Sequence, residues 1–403
     1  MRDERIAIVG GCGHVGLPLG ILLAEAGYPT RLYDLNQALV AKVNAGTMPH
    51  LEEQGPERLR GVIESGALVA TTDPTVLADS AIIVITIGTP VDEHLNPRIQ
   101  YLLQAMEGLK DYVSGAHQLL LFRSTLAPGA LQTTADHLRE WGCQASIAYC
   151  PERIVQGKAL TELVGLPQII SGLDDEAVRR SRELFFNLTG VDPILLTPLE
   201  AELAKLFCNA WRYITFAISN QFYQVAESAG ASFAKIHQAA TDGYPRMKGF
   251  APAGLTAGPC LLKDTMQLAA FCQNTFFLGH SAMLVNEGMP MFLVQQLTGQ
   301  LGSLRGKRVA LLGLAFKPDN DDTRESLSFK MRKLLLQRGA RVLCHDPFVQ
   351  QEYFPKIDFV DLPEALECEV IVIGVPHAVY RQLEFGPEKT IIDVWGAIRS
   401  HGH

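Results

Sequence analysis

Apolar positions along this chain fall into two patterns. Short apolar-centred runs recur early: RIAIVG (5–10), TRLYD ending at Asp34, SAIIVITIGTP (80–90), HQLLLFRST (117–125) and QASIAYCPER (144–153). Each breaks off into a polar or Pro/Gly segment, and helix-length stretches separate them. Runs without polar alternation read as strands buried on both faces, the signature of a parallel sheet covered by helices. The pattern changes at Thr197-Pro198-Leu199-Glu200, which reads as a capping box with proline at the first helical position. No breaker follows until Gly230, so a helix of about 30 residues, roughly 45 Å long, is expected. Its sequence, AELAKLFCNAWRYITFAISNQF, is apolar on most of its circumference and is expected to be buried between domains or against a second subunit. More helix is expected over about 261–300. Short buried runs then return in GKRVALLGLAFKPDNDDTRES, ARVLCHDP, CEVIVIGVPH and KTIIDVWG. The expected fold is α/β, with two Rossmann-like parallel-sheet domains joined by a long central helix. The expected division is 1–196, 197–300 and 301–403.

Composition narrows the classes. A chain of 403 residues with 47% hydrophobic and 19% charged residues suits a soluble enzyme with ample core. The net charge of -8, with no Lys/Arg block, argues against nucleic acid or an anionic membrane as partner. No apolar run reaches the ~18 residues that span a bilayer. The start, MRDERIAIVGGCG, enters a strand at once and leaves no room for a signal peptide, so a cytoplasmic location is expected. The eight cysteines are scattered without a CxxC pair, which argues against a zinc site and a disulfide framework.

The first strand runs into Gly11-x-Gly13-x-x-Gly16, and the second ends in Asp34, 18 residues after Gly16. That spacing between strand and helix is the fingerprint of a dinucleotide site. The glycines let the backbone approach a pyrophosphate at the helix N-terminus. Asp34 is placed to accept from the adenosine ribose and to repel a 2′-phosphate, which favours NAD over NADP. Thr89, Ser124, Thr125 and Glu152 follow the ends of later strands and are expected on one rim facing the cofactor.

Two polar residues on the long apolar helix, Lys205 and Asn209, lie four apart and share a face. Burying them costs free energy unless a polar group meets them; the plainer alternative for Lys205 is a lysine snorkelling at a domain edge. In AGLTAGPCLLKD (253–264), Cys260 stands between a Gly-Pro corner and a Lys-Asp pair. It is either a small core residue or a thiol bent into a cleft.

With these residues laid out, the whole chain resembles the UDP-glucose/GDP-mannose dehydrogenase family. The resemblance rests on GCGHVGLPLG, GTP (88–90), ST (124–125), PERIVQGKA (151–159), ELAKLFCNAWR (202–212), AGPCLLKD (257–264) and LAFKPDNDDTRES (314–326). It implies oxidation of the C6 alcohol of a sugar nucleotide to the uronic acid, with two NADH formed per substrate. Cys260 aligns with the nucleophile, and Lys205, Asn209 and Asp264 align with the polar residues around C6. Thr125 and Glu152 align with residues that handle water for thioester hydrolysis. By the same resemblance Gly11, Gly13, His14, Val15, Gly16, Asp34, Thr89, Ser124, Thr125, Lys263 and Arg324 are expected at NAD. Glu152, Arg153, Lys205, Asn209, Arg246, Gly258 and Lys317 are expected at the sugar nucleotide. Arg246 matches an arginine that reaches the neighbouring subunit's substrate, which implies a homodimer. The other seven cysteines are expected to be buried and inert.

UDP-glucose is the favoured sugar, on CLLKD. CPERI instead resembles the branch acting on UDP-N-acetylhexosamines, and GDP-mannose is a further alternative. Ala257 stands where the family usually has glycine, and His14 where tyrosine is more common. A two-electron hydroxyacid-type dehydrogenase would need neither Cys260 nor the second α/β domain. A non-catalytic nucleotide-binding regulator would tolerate losing Lys205, Cys260 or Asp264, and all three are present.

Overall fold

The computed structural model describes residues 4–349 and 351–398, so both extreme ends of the expected outer segments lie outside the described residues. The chain divides into two compact units, the first covering 1–208 with 270–272 and the second 209–269 with 273–403. The first holds an eight-stranded sheet made of β1 (Ile6–Val9), β2 (Thr30–Tyr33), β3 (Leu68–Thr71), β4 (Ile82–Ile85), β5 (Leu119–Phe122), β6 (Ser146–Tyr149), β7 (Ile169–Gly172) and β8 (Ile194–Leu195). Their spatial order is β3-β2-β1-β4-β5-β6-β7-β8. Every described pairing is parallel except that of β6 with β7. The period-2 rule explains the two-sided core: Ile6 and Ile8 of β1 pack in one apolar layer, while Ala7 and Val9 pack in the other.

The second unit repeats the logic on a smaller scale. Its four parallel strands are β9 (Arg308–Leu312), β10 (Arg341–His345), β11 (Val370–Ile373) and β12 (Thr390–Ile392), in the order β10-β9-β11-β12. Val309 and Leu311 face one layer of core, and Ala310 and Leu312 the other. Each buried valine or leucine side chain contributes about 1.5–3 kcal/mol by leaving water, and the alanine methyl less.

The long helix spans Pro198–Ser228, within two residues of the Gly230 stop. Its capping box is formed: the Thr197 amide and hydroxyl both donate to Glu200 Oε2, at 2.8 and 2.7 Å. One turn on, Glu202 accepts from the amides of Gly129 and Leu131 at 2.6 and 2.8 Å, capping helix Ala130–Glu140. This helix was expected to be buried between domains or against a second subunit, and within the single chain one apolar face is left uncovered. Phe207, Trp211, Ile218, Phe222 and Val225 are exposed, with Trp211 at 69%, and their spacing puts them on one face. The helical stretch expected over 261–300 is two helices, Leu261–Phe271 and Phe277–Leu301. Gln273 and Asn274 separate them by taking positive φ values of 51° and 62°. Among the described residues no helix is long and apolar enough to cross a membrane.

Candidate active site

In the first unit the strand order reverses between β1 and β4, the place where open α/β sheets bind ligands. The turn after β1 leads into helix Gly16–Glu25. A Cβ on Gly11 would meet Leu32 Cβ at 2.7 Å, and one on Gly16 would meet the Gly10 oxygen at 2.8 Å, so strand-helix packing admits a side chain at neither. Gly13 differs, since its nearest neighbour would lie at 3.4 Å, an ordinary contact. The fold has room for a methyl group there, and a bare backbone suits close approach by a pyrophosphate. Val15, at the N-cap, makes no side-chain capping bond; the Leu17 amide donates to the Gly13 carbonyl at 3.0 Å and Pro18 has no N–H, so the Gly16 N–H is the first-turn donor that faces an anion. Asp34 accepts from the Cys12 and Asn36 amides at 3.1 and 3.0 Å, which ties the end of β2 to the glycine turn. A carboxylate with two further lone pairs retains capacity for ribose hydroxyls. This cradle fits NAD. The His14 ring lies 4.1 Å from that of His50 and meets the Gln156 amide at 3.0 Å.

Thr86, missing from the sequence reading, follows β4 and donates to the Val9 carbonyl at 2.8 Å, pinning the glycine turn from the opposite side of the reversal. Its one signal in the sequence is its place just after an apolar run. Along the same rim Thr89 donates to the Thr125 carbonyl at 2.7 Å, and Ser124 to the Ile85 carbonyl at 3.3 Å. Beyond β6, Lys205 donates to Glu152 Oε1 at 3.1 Å while Glu152 Oε2 accepts from the Ile154 amide at 2.8 Å. The Lys205 side chain is 6% exposed, so it does not snorkel; Glu152 is the polar partner that its burial requires. Arg153 reaches the Pro167 carbonyl.

The second unit carries the thiol. Gly258 has φ +114°, a conformation that disfavours any side chain, and a Cβ there would meet the Phe316 ring at 2.7 Å. Through this corner Cys260 arrives exposed at the start of helix Leu261–Phe271, where its carbonyl accepts from the Asp264 amide at 2.9 Å. A sulfur at a helix N-terminus is favoured as thiolate. One turn inside, fully buried Asp264 accepts from Asn209 Nδ2 at 2.6 Å and pairs with Lys263 Nζ at 3.1 Å. Arg324 forks onto Asp322, with Nε at 3.0 Å and Nη2 at 2.6 Å. That hydrogen bond, reinforced by the nearby Cys260 sulfur, raises the arginine above its ordinary range. Lys317 lies 5.8 Å from the Phe316 ring, and exposed Arg246 lies 5.7 Å over the Tyr244 ring.

The remaining cysteines do not share one fate. Cys12, Cys150, Cys344 and Cys368 are buried, and burial pushes the first three thiols up to about 12, 11 and 12. Cys143 and Cys272 are half-buried. The expectation of burial is corrected for Cys208, which is exposed on the long helix beside Phe207 and Trp211.

The chain is similar to proteins already known. Residues 4–189 match the NAD binding domain of the UDP-glucose/GDP-mannose dehydrogenase family, 199–287 its central domain and 310–400 its UDP binding domain. A UDP-N-acetyl-D-mannosamine dehydrogenase of Methanocaldococcus jannaschii is 28% identical over 94% of this chain and 87% of its own length. The structure of a UDP-glucose dehydrogenase from Pyrobaculum islandicum superimposes with a TM-score of 0.89 at 26% identity, covering 98% of both chains. That of a UDP-D-ManNAc dehydrogenase from Pyrococcus horikoshii does so with 0.87 at 27% identity, covering 94% of this chain and 91% of the other. A dinucleotide cradle, a cysteine at a helix start and three consecutive matching domains lead to one conclusion: the chain belongs to the UDP-glucose/GDP-mannose dehydrogenase family of NAD-dependent nucleotide-sugar dehydrogenases.

Proposed function

We propose that this chain oxidises the C6 alcohol of a UDP-sugar to the carboxylate in two steps through a covalent intermediate on Cys260. The observation that carries the reading is an exposed thiol at a helix start, one turn from a buried aspartate, on a chain of this family. NAD, when bound in the Gly11–Gly16 turn with Asp34 toward its ribose, supplies the hydride acceptor for each oxidation. Thr89, Ser124, Thr125, Lys263 and Arg324 complete that cofactor site in this reading.

In the first step the C6 alcohol loses a hydride and a proton and becomes an aldehyde. Lys205, cationic in its pair with Glu152, stabilises the oxygen as the proton leaves to water held by that carboxylate. An aldehyde has no second hydride to give until a nucleophile adds. The Cys260 thiolate forms a C–S bond, and the Asn209 amide with the Lys263 ammonium steadies the resulting oxyanion. Loss of the second hydride turns the hemithioacetal into a thioester. Water, deprotonated at Glu152 with Thr125 and Asp264 ordering it, adds to the carbonyl; the C–S bond breaks, the thiolate returns and the uronate leaves. Arg153, Gly258 and Lys317 contribute to holding the sugar nucleotide.

The names of the curated relatives and the CPERI segment support UDP-N-acetyl-D-mannosamine as substrate. UDP-glucose becomes the second reading, supported by CLLKD and by the Pyrobaculum islandicum structure. The division 1–196, 197–300 and 301–403 stands as the proposed functional one. We further propose a homodimer built on the exposed face of the long helix, with Arg246 acting on the partner's substrate. The test is NADH yield per sugar consumed, run over UDP-N-acetylmannosamine, UDP-N-acetylglucosamine, UDP-glucose and GDP-mannose. Two NADH per molecule are expected with the true substrate, and one would overturn the four-electron reading.

A further inference from the structure

In the second sheet the strand order reverses between β9 and β11. The segment 314–326 follows β9, and His377 follows β11. His377 is fully buried, wedged against Phe348 and Tyr380 with ring centroids 5.1 and 5.6 Å away. The Asp319 amide donates to its Nδ1 at 2.9 Å, which makes that nitrogen the acceptor and leaves Nε2–H to donate to Asp346 Oδ2 at 3.1 Å. Asp346, fully buried at the end of β10, also accepts from the amides of Leu314 and Ala315 at 2.6 and 3.1 Å. The segment is thus gripped at both ends. Asp319, at φ +52°, is held left-handed by the imidazole and by Ala378, whose amide donates to Asp319 Oδ1 at 2.9 Å. Such a conformation costs a non-glycine residue energy and persists only where neighbours enforce it. Between the two grips stand Phe316, which packs on Gly258, and Lys317.

We propose that His377 is a positioning residue: through its bond to the Asp319 amide it fixes the 314–319 segment at the reversal of the second sheet, and so presents Lys317 to the diphosphate of the sugar nucleotide. The proposal rests on the reading of Lys317 given above. A neutral imidazole suits the task because one ring nitrogen accepts from the segment while the other is anchored in Asp346, so ring and loop move as one piece.

Two amide substitutions separate the two bonds. In His377→Asn the side-chain oxygen replaces Nδ1 and can still accept from Asp319, whereas Asp346 is lost. In His377→Gln the terminal amide replaces Nε2–H, and the acceptor for Asp319 is lost. UDP affinity is measured by titration calorimetry, with kcat at saturating UDP-N-acetylmannosamine and the thermal midpoint alongside. His377→Gln is expected to weaken UDP binding about tenfold, the scale of one hydrogen bond, and His377→Asn by less than about threefold. Both lose part of a buried network, so their midpoints should fall together while their UDP affinities diverge. Equal affinities in the two variants, or affinities that follow the midpoints, overturn the proposal. Lys317→Ala is the control. If it leaves UDP affinity unchanged, the proposal falls with that role of Lys317, while the dehydrogenase reading, which rests on NADH yield, stands.

Discussion

In the proposed mechanism Cys260 marks the difference between a two-electron and a four-electron enzyme. In Cys260→Ser the first oxidation retains NAD and Lys205, but an alkoxide forms far less readily than a thiolate near pH 7. The variant is expected to release NADH in a burst approaching one per active site, accumulate aldehyde or a slowly hydrolysed ester, and turn over slower by orders of magnitude. Near-normal turnover with two NADH per sugar would refute the covalent route. Single residues were unevenly legible in the sequence. Asp34 was legible from the glycine turn and the strand end around it, whereas the residues around Cys260 left a core cysteine and an exposed thiol both open until the structure placed it at the surface. Asp346 had a weaker signal, an acid closing the second strand of its unit as Asp34 closes β2. Thr86 and Glu202 had almost none, because each acts on a backbone group more than seventy residues away.

At the level of elements, the strands of both sheets were legible where apolar runs end in glycine or proline. β3, β7 and β8 were not: β3 is a four-residue edge strand with Val69 exposed, β8 is two exposed residues, and the antiparallel turn of β7 is a packing outcome with no period of its own. The length of the long helix was legible from its caps, and an apolar face left over by its own domain from its composition. Apolar composition predicts burial without saying what does the covering. If a second copy covers Phe207, Trp211, Ile218, Phe222 and Val225, then Trp211→Asp should give a folded monomer by light scattering at micromolar concentration. Its own stability should change little, since the site is exposed within the chain. A parent protein that is already monomeric at that concentration would sink the dimer and the action of Arg246 in trans.

For the whole molecule, the acid limit of stability is set in part by Asp346. Burial pushes this carboxyl up, but the hydrogen bond from His377, together with those from the Leu314 and Phe348 amides, outweighs it and holds the group below the usual carboxylate range. A depressed carboxyl contributes stability that is complete above its unfolded value, about 3.9, and is lost as pH falls through the folded value. No loss from this group is expected between pH 7 and pH 5, and a falling thermal midpoint is expected below about pH 4. Asp346→Asn should cost about 1–3 kcal/mol at pH 7, by leaving a buried donor without its acceptor, and then lose less than the parent between pH 5 and pH 3. Equal acid sensitivity in the two proteins would assign the effect elsewhere.

The separation of buried from exposed sulfur bears on how such an enzyme ages. An oxidant attacks sulfur that it can reach, so exposed Cys260 is expected to be converted to the sulfenic acid before Cys12, Cys150 or Cys344, which burial keeps protonated. If Cys260 is the nucleophile proposed above, damage therefore reaches turnover before it reaches the cores. A chain silenced in this way remains folded, and at the sulfenic stage a thiol reductant returns it to work without a chaperone or new synthesis.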